Sequence, residues 1–320
     1  MRPPQSRDLV LLDANVWRYF VDADAIGDLR RASLANKVAV AIAPAVVYEA
    51  ARTEDPEVRW RLIEAMTMGI WHRLMPEAYE ESMELVVEIR RLQHEWLRPN
   101  RGATWHGRLL RDWQGGVRGF WHRIRHDPKE VERICSLSEP QVEVARIQAG
   151  AARSTSRELG VQLDQVDLSD DVAWRLASLQ YYTSILPAEE GPHYEWLSEI
   201  VDIDRALGDL SRWPDFWLRH AEAHRMPCAW MRWALEQLFP TQKVSSGTPC
   251  DVQLATYLVH RRGSSRGRDV SLFITSDKIF DRLLQRCRRD APFDMARLMR
   301  VEAGERCVEA VLGKLRDLDS

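Results

Sequence analysis

Four acidic residues stand where an α/β chain collects its chemistry. Asp13 closes the apolar run Asp8-Leu9-Val10-Leu11-Leu12-Asp13, and Asp277 comes two residues after Thr275 in FITSDKIF. Glu49 falls about one turn into the helix expected to begin at Pro44, and Asp251 follows Pro249 and Cys250 at the head of another. Each has an ordinary explanation when taken singly. An Asp at a helix start is commonly a cap, and Glu49 alone would be a helix-surface residue. Together they mean more, because functional groups in an open parallel sheet gather beyond the carboxyl ends of the strands. Carboxylates brought together repel, so a cation must hold them ionised and close. Oxygen-only ligands point to Mg²⁺ or Mn²⁺ rather than Zn²⁺. One or two such ions can bind a phosphodiester, lower the pKa of a water and stabilise the leaving oxygen. The expected reaction class is therefore metal-assisted phosphodiester hydrolysis. Neither G-x-x-x-x-G-K-[ST] nor G-x-G-x-x-G occurs, so triphosphate and dinucleotide chemistry lack their phosphate cradles.

The elements that must position these acids are short apolar strands. Asp8–Asp13 and Lys37–Ala43 are too short for helices and apolar almost throughout, as strands buried on both faces are. Pro44 suits the first turn of a helix, which would carry Val46, Val47 and Ala50 inward. Gly69–Met75 reads as a weaker third strand stopped by Pro76, Val270–Thr275 as a fourth, and Ala296–Val301 as an edge strand. Helices fit over Asp251–Arg261 and Glu305–Leu318. This alternation predicts a parallel, doubly wound α/β sheet with right-handed crossovers.

The middle of the chain differs. Between about Leu92 and Pro240 no strand pattern is found, and ten of the 13 tryptophans lie there. That predicts an all-α insertion over 92–240 between the two parts of a discontinuous α/β domain, 1–91 and 241–320. Large aromatics would fill its core. Ser245–Pro249 reads as the return linker.

At 320 residues, with 45% hydrophobic and 29% charged residues, the chain is expected to be globular, with about two domains. No uncharged apolar run reaches the roughly 18–20 residues of a membrane span, and MRPPQSRD lacks the apolar core of a secretion signal. Five widely spaced cysteines without a C-x-x-C pair encode neither a disulfide framework nor a zinc site. The expected setting is a reducing cytoplasm, away from membranes.

LLDANVW (11–17), PAVVYEAAR (44–52), CDVQLATYL (250–258) and FITSDKIF (273–280) resemble, in order, the four sequence blocks of the PIN-domain nucleases. The set is more specific than any member. It includes Asn15 two residues beyond Asp13, D-x-x-L-A at Asp251 and T-x-D-x-x-F at Thr275. The resemblance covers about half the chain, residues 1 to 90 and 245 to 320. It implies a five-stranded parallel sheet in order 3-2-1-4-5, dependence on Mg²⁺ or Mn²⁺, and endoribonuclease activity of the toxin or defence-effector kind. The metal ligands and catalytic residues it implies are Asp13, Glu49, Asp251 and Asp277, with Asn15 and Thr275 orienting them. The insertion of roughly 150 residues departs from the compact toxin-type members. RNA is favoured over DNA as partner. A DNA nuclease of a defence or repair system stays open, as does a non-catalytic RNA-binding or scaffold protein.

The net charge of −3 hides an asymmetry. Arg98–His126 holds seven arginines against Asp112 alone, while Val161–Asp215 holds twelve acids against three arginines. Arg101, Arg108, Arg111, Arg118, Arg123 and Arg125 interleave with Trp105, Trp113 and Trp121. Arginines can neutralise phosphates while indoles stack on unpaired bases, so these nine are candidate nucleic-acid contacts. The competing expectation is an arginine-rich helix that pairs with the acidic stretch and buries its tryptophans. The basic His260–Arg268 reads as a solvated loop. The pairs His122/His126 and His220/His224 have i,i+4 spacing without an H-E-x-x-H pattern. Because the insertion feeds into Pro249-Cys250-Asp251, part of it should wall the acidic edge. A protein partner or inhibitor and a homodimer are also compatible with the chain.

Overall fold

The structure, a computed structural model, describes residues 8–99, 107, 110–111, 113, 119–159, 167–186, 189, 191–209, 226–238, 244–245, 247–260, 269–291 and 293–318. The α/β part opens with β1 (Leu9–Leu12), α1 (Ala14–Asp22), α2 (Ile26–Ala35), β2 (Ala39–Ile42), α3 (Pro44–Ala51), α4 (Pro56–Met66), β3 (His72–Arg73) and α5 (Glu77–Leu92). Through the middle run α6 (Phe120–His126), α7 (Pro128–Ser136), α8 (Ser138–Leu159), α9 (Asp171–Ile185), α10 (Tyr194–Leu197), α11 (Ile203–Gly208) and α12 (Pro227–Glu236). The chain then returns through α13 (Thr248–Ala255), β4 (Leu272–Thr275), α14 (Lys278–Asp290), β5 (Arg297–Arg300) and α15 (Glu305–Asp317).

The five strands are all parallel, in order β3-β2-β1-β4-β5, as expected. Every residue of β1 and β4 is buried, which is why their sequences are continuously apolar rather than alternating. In the register, Leu12 of β1 lies beside Ile274 of β4. The next residues therefore meet: the Asp13 N–H donates to the Ile274 carbonyl at 3.0 Å.

Two elements depart from expectation. Gly69–Met75 yields only His72–Arg73 as strand, with turn before it and Pro76 already acting as the N-cap of α5. The helix expected over Asp251–Arg261 starts three residues earlier, at Thr248, because Pro249 occupies its first turn. It ends at Ala255 and passes through a 3₁₀ turn, Thr256–Leu258, into a bridge between Val259 and Met295. The second half of the Ser245–Pro249 linker is thus helix, and Ser246 lies outside the described residues.

Among the described residues the middle segment contains helices and one isolated bridge, Leu97 with Val201, but no strand. One buried apolar cluster runs unbroken from β1 and β4 into Trp96, Phe120, Trp174 and Trp230 of this segment. The described tryptophans there are largely core, and Trp196 and Trp233 are buried too. Among the described residues no helix is long and apolar enough to cross a membrane.

Candidate functional site

The site is built where β1 and β4 end. Asp13 leaves β1 as the N-cap of α1, and its Oδ1 accepts the Ala14 N–H at 2.7 Å. Its Oδ2 accepts the Thr275 hydroxyl at 2.6 Å. The same Thr275 oxygen accepts the Asp277 N–H at 2.9 Å, and Asp277 in turn caps α14 through the Ile279 N–H at 2.8 Å. A chain of hydrogen bonds therefore ties Asp13 to Asp277 across two neighbouring strands. Both are caps, yet capping occupies only one oxygen of Asp277 and one of Asp13. Thr275 is fully buried and stands between the two acids in this chain of bonds. Asn15 is exposed on α1.

Glu49 reaches the same edge from α3 and Asp251 from the first turn of α13, two helices that pack on each other. Glu49 is half-buried rather than lying on an open helix surface. Its Oε2 is buried and has no hydrogen-bond partner among the described residues. Its Oε1 lies 3.6 Å from the point a Cβ on Gly247 would occupy, so the return segment runs past this carboxyl group.

The electrostatics register the convergence. Burial pushes the Asp13 carboxyl up to about 6, opposed by its bonds to Thr275 and Ala14 and reinforced by Asp277. Burial raises Glu49 to about 8, with Asp13 and Asp277 adding to the rise and Arg52 opposing it. Asp251 is raised well above the ordinary range by burial and then by Glu49, Asp13 and Asp277. Acids 264 positions apart in the chain, Asp13 and Asp277, thus act on the same two neighbours. Among the described residues no group of three or more His, Cys, Asp or Glu is arranged to hold a metal ion. The charges of Asp13 and Asp277 raise both Glu49 and Asp251, although the four acids do not form such a group. The unpartnered Glu49 oxygen and the all-oxygen donor set fit a hard divalent cation.

The middle segment walls this edge, as its connectivity predicts. Helix α8 packs against α13, and α7 against α3. Arg52, three residues beyond Glu49, donates to Gln141 of α8 at 2.7 Å and to the Cys250 sulfur at 3.3 Å. Cys135 of α7 donates to the Ala51 carbonyl at 3.2 Å. Burial raises the Cys250 thiol, Arg52 opposes this, and the charges of Glu49, Asp251 and Glu77 add to it. Arg52, Gln141 and Glu77 were not singled out from the sequence. Arg52 stands inside the PAVVYEAAR block, so only its place in that block could have flagged it.

The arginine–tryptophan segment divides. Trp121 is 2% exposed, with Arg73 5.5 Å from its ring centroid, so it offers no face to a base; the stacking role expected of it is withdrawn. Trp113 is half-buried and stacked on Phe120 at 4.7 Å. Arg111 is exposed. Arg123 bonds to Glu130 and Arg125 to Glu64, so neither of these bonds involves the acidic Val161–Asp215 stretch. Arg101, Arg108, Arg118 and Trp105 lie outside the described residues, as do His220, His224 and the loop 261–268. The rings of His122 and His126 are 4.6 Å apart on an exposed face of α6.

Comparison with protein-family models, curated proteins and solved structures finds no match to this chain.

Proposed function

We propose that this chain is a Mg²⁺- or Mn²⁺-dependent endonuclease of the PIN type that hydrolyses phosphodiester bonds. The observation that carries this reading is the buried, unpartnered Glu49 oxygen among three other acids at the carboxyl edge of the sheet. RNA is the preferred substrate because the four motif blocks resemble those of endoribonucleases.

Asp13, Glu49, Asp251 and Asp277 would hold the ion. When bound, it supplies the positive charge that lets the four ionise together and polarises the phosphodiester and the attacking water. The chain's own residues do the rest. Thr275 and the Ala14 N–H fix the Asp13 carboxylate on both oxygens, so its direction is set before substrate arrives. Glu49 keeps one buried oxygen without a hydrogen-bond partner among the described residues. Its Oε2 is the atom available to receive the proton of the attacking water. Helices α7 and α8 close one side and limit how the strand enters.

The test incubates wild type, Asp13→Asn and Asp277→Asn with labelled RNA and DNA panels in Mn²⁺ or EDTA. Cleavage of RNA by wild type in Mn²⁺, its loss in EDTA and a fall of about a thousandfold in both variants are expected, the last corresponding to ~4 kcal/mol of barrier. Circular dichroism should show both variants folded. Wild-type rates in both would end this reading.

A further inference from the structure

A cavity of 340 Å³ opens beside the acids, within the roughly 300–1,000 Å³ range of small-ligand sites. Its lining includes Tyr48, Glu77, Trp113, Phe120, Arg133 and Trp196. Tyr48 of this lining precedes Glu49 on α3, so the cavity and the acid are carried by the same helix. The walls are aromatic: Trp113 stacks on Phe120 at 4.7 Å, and Tyr48 meets the same ring edge-on at 5.6 Å. The polar lining has both signs. Glu77 is 8% exposed, and its Oε2 is buried without a hydrogen-bond partner among the described residues. Arg133 uses one guanidinium nitrogen on Glu130 at 2.8 Å, and a guanidinium carries five N–H donors.

We propose that this cavity is a base-recognition subsite that takes an unpaired guanine of the strand being cut. The proposal rests on the nuclease reading for the strand, though not for the pocket. Of the aromatic lining, Tyr48 and Trp113 are the half-buried rings a base can meet, while Phe120 and Trp196 back them from the core. A carboxylate accepts the paired ring N–H and amino donors of guanine, while an arginine donates to its O6 and N7. Adenine offers no such adjacent pair of donors, and uracil carries no amino group. A buried carboxyl oxygen without a partner is costly unless a donor is supplied, and guanine carries such donors. Burial and the nearby Glu81 raise the Glu77 carboxyl to about 7, so it is substantially ionised only from neutral pH upward.

The test titrates the full chain with GMP, AMP, CMP and UMP by calorimetry in EDTA at pH 8, where no cleavage occurs. Glu77→Gln and Arg133→Ala are titrated alongside. GMP should bind at least fivefold more tightly than the other three, the low end of discrimination by a bidentate base contact. Glu77→Gln should reduce that preference below twofold. If Glu77→Gln does not fold, Arg133→Ala, an exposed position, should show the same loss. In Mn²⁺, oligonucleotides with guanine beside the cut site should show the higher kcat/KM, and the variants should level it. Equal binding of the four nucleotides, no binding of any, or a guanine preference that survives in a folded Glu77→Gln each overturns the proposal. Guanine preference without cleavage of any strand keeps the subsite and removes the nuclease. Cleavage without base preference does the reverse.

Discussion

At the carboxyl edge of the sheet Glu49 carries a buried oxygen with no partner among the described residues, while on α5 Glu81 carries a buried carboxylate with four. Tyr181, His193, Arg232 and Thr256 all bond to Glu81. Glu84, three residues on, accepts the Cys228 and Ala229 N–H groups at 2.8 and 3.2 Å, where α12 begins. Burial pushes Glu81 up, yet Arg232, His193 and Tyr181 outweigh it and hold the carboxyl at about 2. At the sheet edge Arg52 opposes the rise at Glu49, and burial and like charge win. The same residue type is thus used in two ways. A carboxylate whose bonds are all made joins helices together, whereas one without a partner among the described residues is the acid the proposed cation would hold.

Removing the satisfied acid should cost most. Glu81→Ala removes a fully buried carboxylate from Tyr181, His193, Arg232 and Thr256, and leaves Arg232 on Glu236. Breaking one side of a buried pair costs about 3–5 kcal/mol, so the urea midpoint should fall sharply, and the proposed nuclease activity should follow the folded fraction. A loss below ~1 kcal/mol would mean that this network does not tie α5 to α9 and α12.

The two regions should also answer pH with opposite signs. Glu81 is depressed from 4.5 to about 2, so its contribution is complete above pH 4.5 and is lost as pH falls towards 2. Asp13 and Glu49 are raised to about 6 and about 8, so the folded state binds more protons than the unfolded chain between roughly pH 4 and 8. Without metal, stability from this edge must therefore fall as pH rises through that window. Glu49→Gln should flatten the slope and leave the protein more stable than wild type at pH 8 in EDTA. The expected gain is roughly 2 kcal/mol, about 4 °C in Tm. A slope unchanged in Glu49→Gln would show that the edge acids do not share one field.

This contrast marks what could be read along the chain. The run LVLL followed by Asp, and LFIT followed by Ser-Asp, are legible because a strand buried on both faces must be apolar and must end at the sheet's edge. The gathering of four acids from distant segments follows from that, whereas the strand order is implied only by the resemblance of the four blocks to the PIN-domain nucleases. His72–Arg73 was hard to bound, since two residues carry no period. The role of α5 was hidden for another reason. Its glutamates at 77, 81, 84 and 88 have the spacing of a helix face, but four acids on one face read as solvent-exposed. Only the distant Tyr181, His193 and Arg232 make that face an interior one. Trp121 misled likewise, because alternation with arginine looks the same whether an indole lies on the surface or beneath it.

The smallest change tests how the edge is held rather than whether it exists. Thr275→Val removes the hydroxyl that donates to Asp13 Oδ2 and accepts from the Asp277 N–H, at almost unchanged volume. Two hydrogen bonds are lost, and one buried oxygen of Asp13 becomes as bare as that of Glu49. Stability should drop by about 1 kcal/mol, less than for Glu81→Ala, because a neutral hydroxyl is removed and no buried ion pair is broken. Mn²⁺ affinity, read from the rise in Tm across a titration, should fall about tenfold, the usual effect of losing a partner that orients a ligand. Thr275→Ser keeps the oxygen and should restore both. If Thr275→Val lowers stability but leaves the Mn²⁺ response intact, Thr275 belongs with Glu81 as a structural link and not with Glu49.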